Sequence, residues 1–437
     1  MSQDSLKTGS IDKFELTANQ GGNSVDLSAG VSDLRLYESV LSNTVTATAV
    51  VVETGHGVKG SIDGLPIRGG ENLKFSIRDA QGRSIKSQLL VNRLRNANPE
   101  STRDLYILDF ASPEYFSNDT VRVTERYEGK ISDNIGKMLS KLNTNRTIDI
   151  DDTLNEYNFM GNDRKPFYVC TWLASKSISK DGGQEGAVGY LFYQTIDSFK
   201  FKSVDKLLGQ KPIKSFIFNS GEKGEHDDII INYTIERDID LHENLTLGTY
   251  STSVLFFDPI TFSYVVKDYD VSDQKSIIRP KKTESASELI NEQRRGVSNP
   301  NPTQRGISSN NPSRLMNIVY DYGALPAGKS SDEQLKKFKN DPDNKKEQGF
   351  SKYGAAALTI MRYNQLFTIQ TTITIPGDFS IRAGDTVKVI FPQLEADKNS
   401  GKNNKSSGIY MVAHVCHKIT PENTLTSLSL VRDSYGK

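Results

Sequence analysis

Val45-Thr46-Ala47-Thr48-Ala49-Val50-Val51-Val52 is an eight-residue run, rich in β-branched residues and free of glycine and proline. Such side chains are stiff at χ1 and pack well on a pleated surface, so the run reads as a buried strand. Shorter runs surround it at Leu73 to Ile77, Ile85 to Val91 and Leu105 to Phe110. Gly69-Gly70, Gln81-Gly82 and Asn96-Ala97-Asn98-Pro99 punctuate them. Strands at this spacing predict a sandwich or barrel over residues 1–112.

The pattern changes after Ser112-Pro113. Ile131, Ile135, Met138, Leu139 and Leu142 recur with a helical period, and a second helix is expected after Pro166, turning Val169, Trp172 and Leu173 inward. Tyr190 to Thr195 and Ser198 to Phe201 read as two aromatic strands around a turn. Residues 113–224 therefore form an α+β unit. A second β region opens at Ile229 to Ile235 and resumes near 355, with a short helix through Met361 to Asn364. In Phe367 to Ile375, apolar Ile369, Ile373 and Ile375 share one alternation phase with Thr371. Runs at Val387 to Phe391, Ile409 to Ile419 and Leu425 to Val431 complete a second small barrel over 225–270 and 353–437. The insertion between them, 271–352, is rich in Pro, Asn and Lys and is expected to be extended or mobile, with strand character only at Leu315 to Tyr322. The two β regions share no sequence repeat.

At 437 residues the chain has room for about three domains. Lys plus Arg and Asp plus Glu stand at 54 each, so no net field draws nucleic acid or an anionic membrane. Two distant cysteines, Cys170 and Cys416, are too few for a disulfide scaffold and fit a reducing cytoplasm. The opening MSQDSLKTGS is polar, so no secretion leader is expected, and no stretch reaches the roughly 20 apolar residues of a membrane span.

Motifs of chemistry are weak. Gly55-His56-Gly57-Val58-Lys59-Gly60 matches a dinucleotide pattern, but the turn-rich Ser61 to Pro66 follows where a helix must start. His414-Val415-Cys416-His417 holds three potential ligands, yet alternation sends His417 to the face opposite His414 and Cys416. Asp149 to Asp152 begins like a calcium loop, with Leu154 where glycine and Met160 where glutamate is needed; Asp341-Pro342-Asp343-Asn344 fails similarly at Lys346. Tyr190, Phe192, Tyr193, Phe199 and Phe201, near Lys200, Lys202 and Lys206, resemble a stacking platform, but alternation splits the rings between two faces and favours a core role. Carboxylate pairs of glycosidase type stay unread, because sequence does not fix their separation. No catalytic, cofactor or metal residue is nominated.

Three stretches together resemble the T-even-type baseplate hub family of contractile phage tails. They are Tyr127 to Asp133; Lys165 to Phe167 with Trp172-Leu173-Ala174, Gly189 to Thr195 and Phe199 to Leu207; and Ile375-Pro376-Gly377, Ala383 to Val387 and Leu430 to Gly436. The resemblance implies two tail-tube-like β-barrel domains separated by an α+β domain. It further implies a homotrimer with a pseudo-sixfold ring, joining a hexameric tail tube to a trimeric spike and opening a channel for the genome. Expected partners are the spike, the tube or its initiator, the surrounding wedge proteins and the tape measure protein. Neither sequence-specific nucleic-acid binding nor stable membrane binding is implied, and the location is the virion tail after assembly in the host cytoplasm. The competing readings are the hub or spike base of another contractile injection system, a wall-degrading tail-tip enzyme and a carbohydrate-binding module.

Overall fold

The structure is a computed structural model that describes residues 8–19, 22–53, 65, 67–100, 103–180, 188–218, 228–236, 241–248, 251–259, 262–270, 314–319, 321, 323–324, 330, 354–367, 369–391 and 406–433. Its first part is all strand: β1 (Ser10–Thr17), β2 (Ser24–Asp26), β3 (Val31–Ser39), β4 (Thr46–Glu53), β5 (Asn72–Arg78), β6 (Ser84–Glu100) and β7 (Arg103–Ala111). They pair in the order β3-β4-β7-β6-β5-β1-β2. In β4 the alternation turns Ala47, Ala49 and Val51 inward, where they meet Phe14 and Leu16 of β1, Leu34 and Leu36 of β3, and Phe75 and Phe110 in one core. End strands and central strands thus share one interior, so the sheet curls on itself like a barrel. Asn96 to Pro99, expected to break the chain, instead lies within β6. A bulge between Arg95 and Asn98 absorbs the irregularity, and Pro99 still faces Asp104 of β7.

Pro113 opens helix α1 (Pro113–Thr120) at a position where its missing N–H is harmless. There follow β8 (Arg126–Tyr127), α2 (Ile131–Ser140), β9 (Thr147–Ile150), β10 (Phe159–Met160), α3 (Pro166–Ala174), β11 (Tyr190–Gln194), β12 (Ser198–Ser203) and α4 (Val204–Leu208). Ile131, Ile135, Met138 and Leu139 of α2 and Val169 and Leu173 of α3 are buried in this unit's core, as their helical spacing requires. The antiparallel β11–β12 hairpin, extended by parallel β9, supplies Tyr190, Phe192, Phe199 and Phe201 to the same core.

The last part contains β13 (Lys214–Ile217), β14 (Asp228–Ile229), β15 (Asn232–Glu236), α5 (Leu241–Thr246), β16 (Ser251–Asp258), β17 (Ser263–Asp270), β18 (Arg314–Val319), α6 (Gly354–Leu366), β19 (Ile369–Pro376), β20 (Thr386–Ile390), β21 (Gly408–Ile419) and β22 (Thr424–Arg432). Here the pairing order is β15-β19-β22-β21-β20-β13-β14. Residues 251–270, read from sequence with the second β region, form with β18 a separate three-stranded sheet, β17-β16-β18. The expected short helix at Met361 to Asn364 is a 13-residue helix, α6. Most of the 271–352 insertion lies outside the described residues. No helix among the described residues is long and apolar enough to cross a membrane.

Candidate assembly site

The two β regions meet edge to edge. β21 pairs antiparallel with β3, from His414 opposite Ser39 to Ile419 opposite Leu34, making one 14-stranded sheet of both. The Val40 amide extends this seam by donating to the Ala413 carbonyl at 2.9 Å. Side chains cross it in both directions: Val40 is buried in the second core, while Ile419 and Phe379 are buried in the first. Glu38, on β3, is fully buried and accepts the Ile196 amide at 2.9 Å and the Ala383 amide at 3.1 Å. One carboxylate thereby ties together the first β region, the β11–β12 turn and the loop before β20. Burial pushes that carboxyl above the ordinary range, against the lowering pull of Arg382 and the two amides.

A second polar lock lies along the same seam. Asp79, in the turn between β5 and β6, accepts the Phe379 amide at 3.0 Å and the Arg83 Nε at 2.7 Å. Arg83 reaches on to Asp378 at 2.7 Å, and Asp378 also holds Lys214. Charged groups and a backbone amide make most of this cluster, with the Ser380 hydroxyl donating to Asp378 at 2.6 Å, which makes it strong where it is shielded from water.

Strand order is the same on both sides of the seam. β3-β4-β7-β6-β5-β1-β2 corresponds term by term to β15-β19-β22-β21-β20-β13-β14. The correspondence extends to register. Leu90 of β6 faces Ala111 of β7 and Asn72 of β5, and Met411 of β21 faces Val431 of β22 and Thr386 of β20. Both long strands then bulge at the same place, between Val91 and Arg93 and between Val412 and His414. One strand differs: β1 runs antiparallel to β5, whereas β13 runs parallel to β20.

The α+β unit is fastened to both. Gln194 is buried and accepts the Val45 amide at 3.0 Å and the Ser112 hydroxyl at 2.8 Å, while donating to Glu114 at 3.1 Å. On the other side α6 carries Arg362, 1% exposed, whose guanidinium donates to Asp205 of α4 and to Asp433 just after β22. Desolvation opposes its charge, but the two carboxylates outweigh it and hold the guanidinium protonated.

The sequence candidates among the described residues each have a definite place. His414 is exposed and His417 buried, on opposite faces of β21 as alternation requires. His417 bonds Thr426 at 3.0 Å and meets Phe379 edge-on, and burial drives its pKa down to about 3, so it is a neutral core residue. Asp149 accepts from Lys200 at 2.8 Å and Lys202, and Asp151 from Lys202 at 3.0 Å and Lys206 at 2.8 Å. These acids hold lysines. Of the five rings, four fill the α+β core and Tyr193 points with Leu191 into the second β core. The Gly55 to Gly60 loop and Asp341 to Asn344 lie outside the described residues.

Two of the three stretches that carry the family resemblance meet in space. Tyr193, Lys200, Lys202, Lys206 and Leu207 from one, and Ala383, Gly384 and Asp385 from another, line a cleft of about 280 Å³ between the α+β unit and the second β region. Gly384 has φ of 89°, and a Cβ there would lie 2.0 Å from the Tyr193 hydroxyl, so only glycine fits. Sequence reasoning missed Glu38, Gln194 and Arg362. Arg362 left a trace: with Leu358 and Met361 it falls on the buried face of α6, where an unpaired cation would not stand.

No protein-family model matches the chain, and no curated protein matches it either. Solved structures do. A tail protein from Neisseria meningitidis MC58 aligns with a TM-score of 0.55 over 98% of this chain and 98% of its own, at 12% identity. The 43 kDa tail protein of prophage MuSo2 from Shewanella oneidensis aligns with a TM-score of 0.52 over 97% of this chain and 98% of its own, at 10% identity. The likeness is one of fold, and it runs the length of the chain.

Proposed function

We propose that this chain is a structural subunit of a contractile phage tail baseplate, the hub that joins tail tube to central spike. In this reading residues 1–112 and the pair 225–270 and 353–437 supply the two tube-like barrels, with β13 (Lys214–Ile217) joining the second and β16 and β17 set aside in their own sheet with β18; the rest of 113–224 is the α+β domain between them, and 271–352 is an insertion. Three chains supply six near-equivalent barrels, so that one face of the ring matches a hexameric tube and the other a trimeric spike, with a channel through the middle. The proposed partners are a second and third copy, the spike, the tube or its initiator, the wedge proteins and the tape measure protein. The ring sits in the virion tail and has no enzymatic role.

One observation carries this reading: two regions without sequence repeat have the same strand order and register and are already joined edge to edge within one chain. A chain needs such duplication to present sixfold neighbours from a threefold assembly. The shared fold with two tail proteins supports it as well. Light scattering of the purified full chain, followed by image averaging, tests the proposal. A particle of three chains with six similar lobes is expected; a mass of one chain at every concentration, or clearing of a peptidoglycan zymogram, would overturn it.

A further inference from the structure

The two β regions, equivalent in strand order, differ in which edges are covered. From His414 to Ile419, β21 has β22 on one side and β3 on the other. Its counterpart β6, from Arg93 onward, has β7 on one side and, among the described residues, no strand on the other. Side-chain burial follows the edges. Val415 is 1% exposed, whereas Leu94, at the equivalent place, is 41% exposed. The complementary edge shows the same inequality. β3 lies between β4 and β21, while its counterpart β15 has β19 and, among the described residues, no second strand. Leu34 and Leu36 are buried, and the equivalent Tyr233 and Ile235 are only partly so.

Each chain therefore fills one copy of this junction internally and leaves one copy of each half open. We infer that β6 of one chain receives β15 of a second copy, in the antiparallel register that β21 and β3 use within the chain. The inference rests on the ring reading above and specifies the seam between its subunits. The register transfers residue by residue. Tyr37 faces Thr46, Thr46 faces Ala111 and Ala111 faces Leu90; Glu236 faces Gln370, Gln370 faces Val431 and Val431 faces Met411. Tyr37 and Glu236 are therefore equivalent. Cys416 and Arg95 are equivalent by their distance past the shared bulge. The internal pair Cys416 with Tyr37 becomes Arg95 with Glu236 between chains, two residue types of opposite charge, a combination that favours cross-strand pairing.

This contact is head to tail: each chain offers two different edges, so the rotation between successive copies sets the number that closes the ring. It also covers backbone edges that would otherwise template uncontrolled strand addition.

The test is disulfide trapping in the full chain. Arg95→Cys with Glu236→Cys, in a Cys416→Ser background, is oxidised gently and run on a denaturing gel without reductant. Tyr37→Cys against native Cys416 is the control for the seam within a chain, and Arg93→Cys with Glu236→Cys is the offset control, since two residues along a strand exceed disulfide reach. Reductant-sensitive dimers and trimers, several-fold above the offset pair, are expected. A chain that is trimeric by light scattering but traps no better than the offset pair would overturn this seam and leave the ring standing. A chain that stays monomeric at hundreds of micromolar and traps nothing would overturn both. Arg95→Glu is expected to shift the assembly toward monomer and Glu236→Arg to restore it. Arg95 also bonds Asp109 in its own chain at 2.6 Å, and only the interchain pairing predicts that rescue.

Discussion

Replacing Arg362 by methionine isolates the clamp between α6, α4 and the C-terminal strand. The guanidinium is 1% exposed, and the side chains of Asp205 and Asp433 are 10% and 11% exposed. Its Nε and Nη1 donate at 3.0 and 2.8 Å, and Nη2 adds a second bond to Asp205. Methionine keeps the packing of the stem but leaves two shielded carboxylates without their cation. Breaking a buried pair in this way costs about 3–5 kcal/mol. With a urea slope of about 2 kcal/mol per molar, the midpoint falls by roughly 2 M. Trp172 is the single tryptophan, and it lies against Tyr157 and Phe159 in the α+β core, while α6 packs its Leu358 and Met361 on Ile178 and Val188 of the same unit, so its fluorescence reports the transition. Adding Asp205→Asn to Arg362→Met removes one stranded charge and is expected to recover a large part of the loss. A single variant that moves the midpoint by less than about 0.5 M, or a double variant no better than the single, would refute the account.

Three other outcomes are expected. Gln194→Leu strands the Val45 amide and one acceptor site of Glu114, both buried, and should lower stability by about 2–4 kcal/mol, read as a fall in the thermal midpoint. Gly384→Ala combines a left-handed backbone with the clash at Tyr193, at about 2–5 kcal/mol; Tyr193→Phe is expected to relieve part of it, so the pair should be less than additive in the same melt. For Asp378, desolvation alone would raise the carboxyl, but Lys214 and Ser380 outweigh it and hold it below its usual range. Because the folded state lowers this pKa, its stabilisation is present above about pH 4 and fades as pH falls through the lowered value. Asp378→Asn should therefore flatten the acid limb of urea midpoint against pH; an unchanged limb would count against it.

Much of the fold was legible wherever one face of an element is buried and the other wet. The apolar positions of α2 and the alternation of Ile369, Thr371, Ile373 and Ile375 all proved to face a core. Turn chemistry misled at Asn96 to Pro99, because a bulge lets a long strand carry residues that normally end one. The equivalence of the two β regions left no trace in the letters. Leu90-Val91-Asn92-Arg93 and Met411-Val412-Ala413-His414 share one residue, since a curled sheet demands only alternation and volume. The seam was unreadable for a related reason. Main-chain amides and carbonyls make it, and every residue but proline carries both. Gln194 and Glu38 serve partners more than 140 positions away, which no local pattern encodes.

The β3–β21 seam has a mechanical consequence. Joined by the covalent chain as well as by hydrogen bonds, it cannot separate by diffusion, because its halves stay tethered at high effective concentration. In a closed assembly every second joint would then be permanent and the intervening ones reversible. Were three chains to close the ring as proposed, a sudden load would part it along three lines, each fragment keeping its two lobes together, and its failure would have threefold symmetry even where its outline is hexagonal.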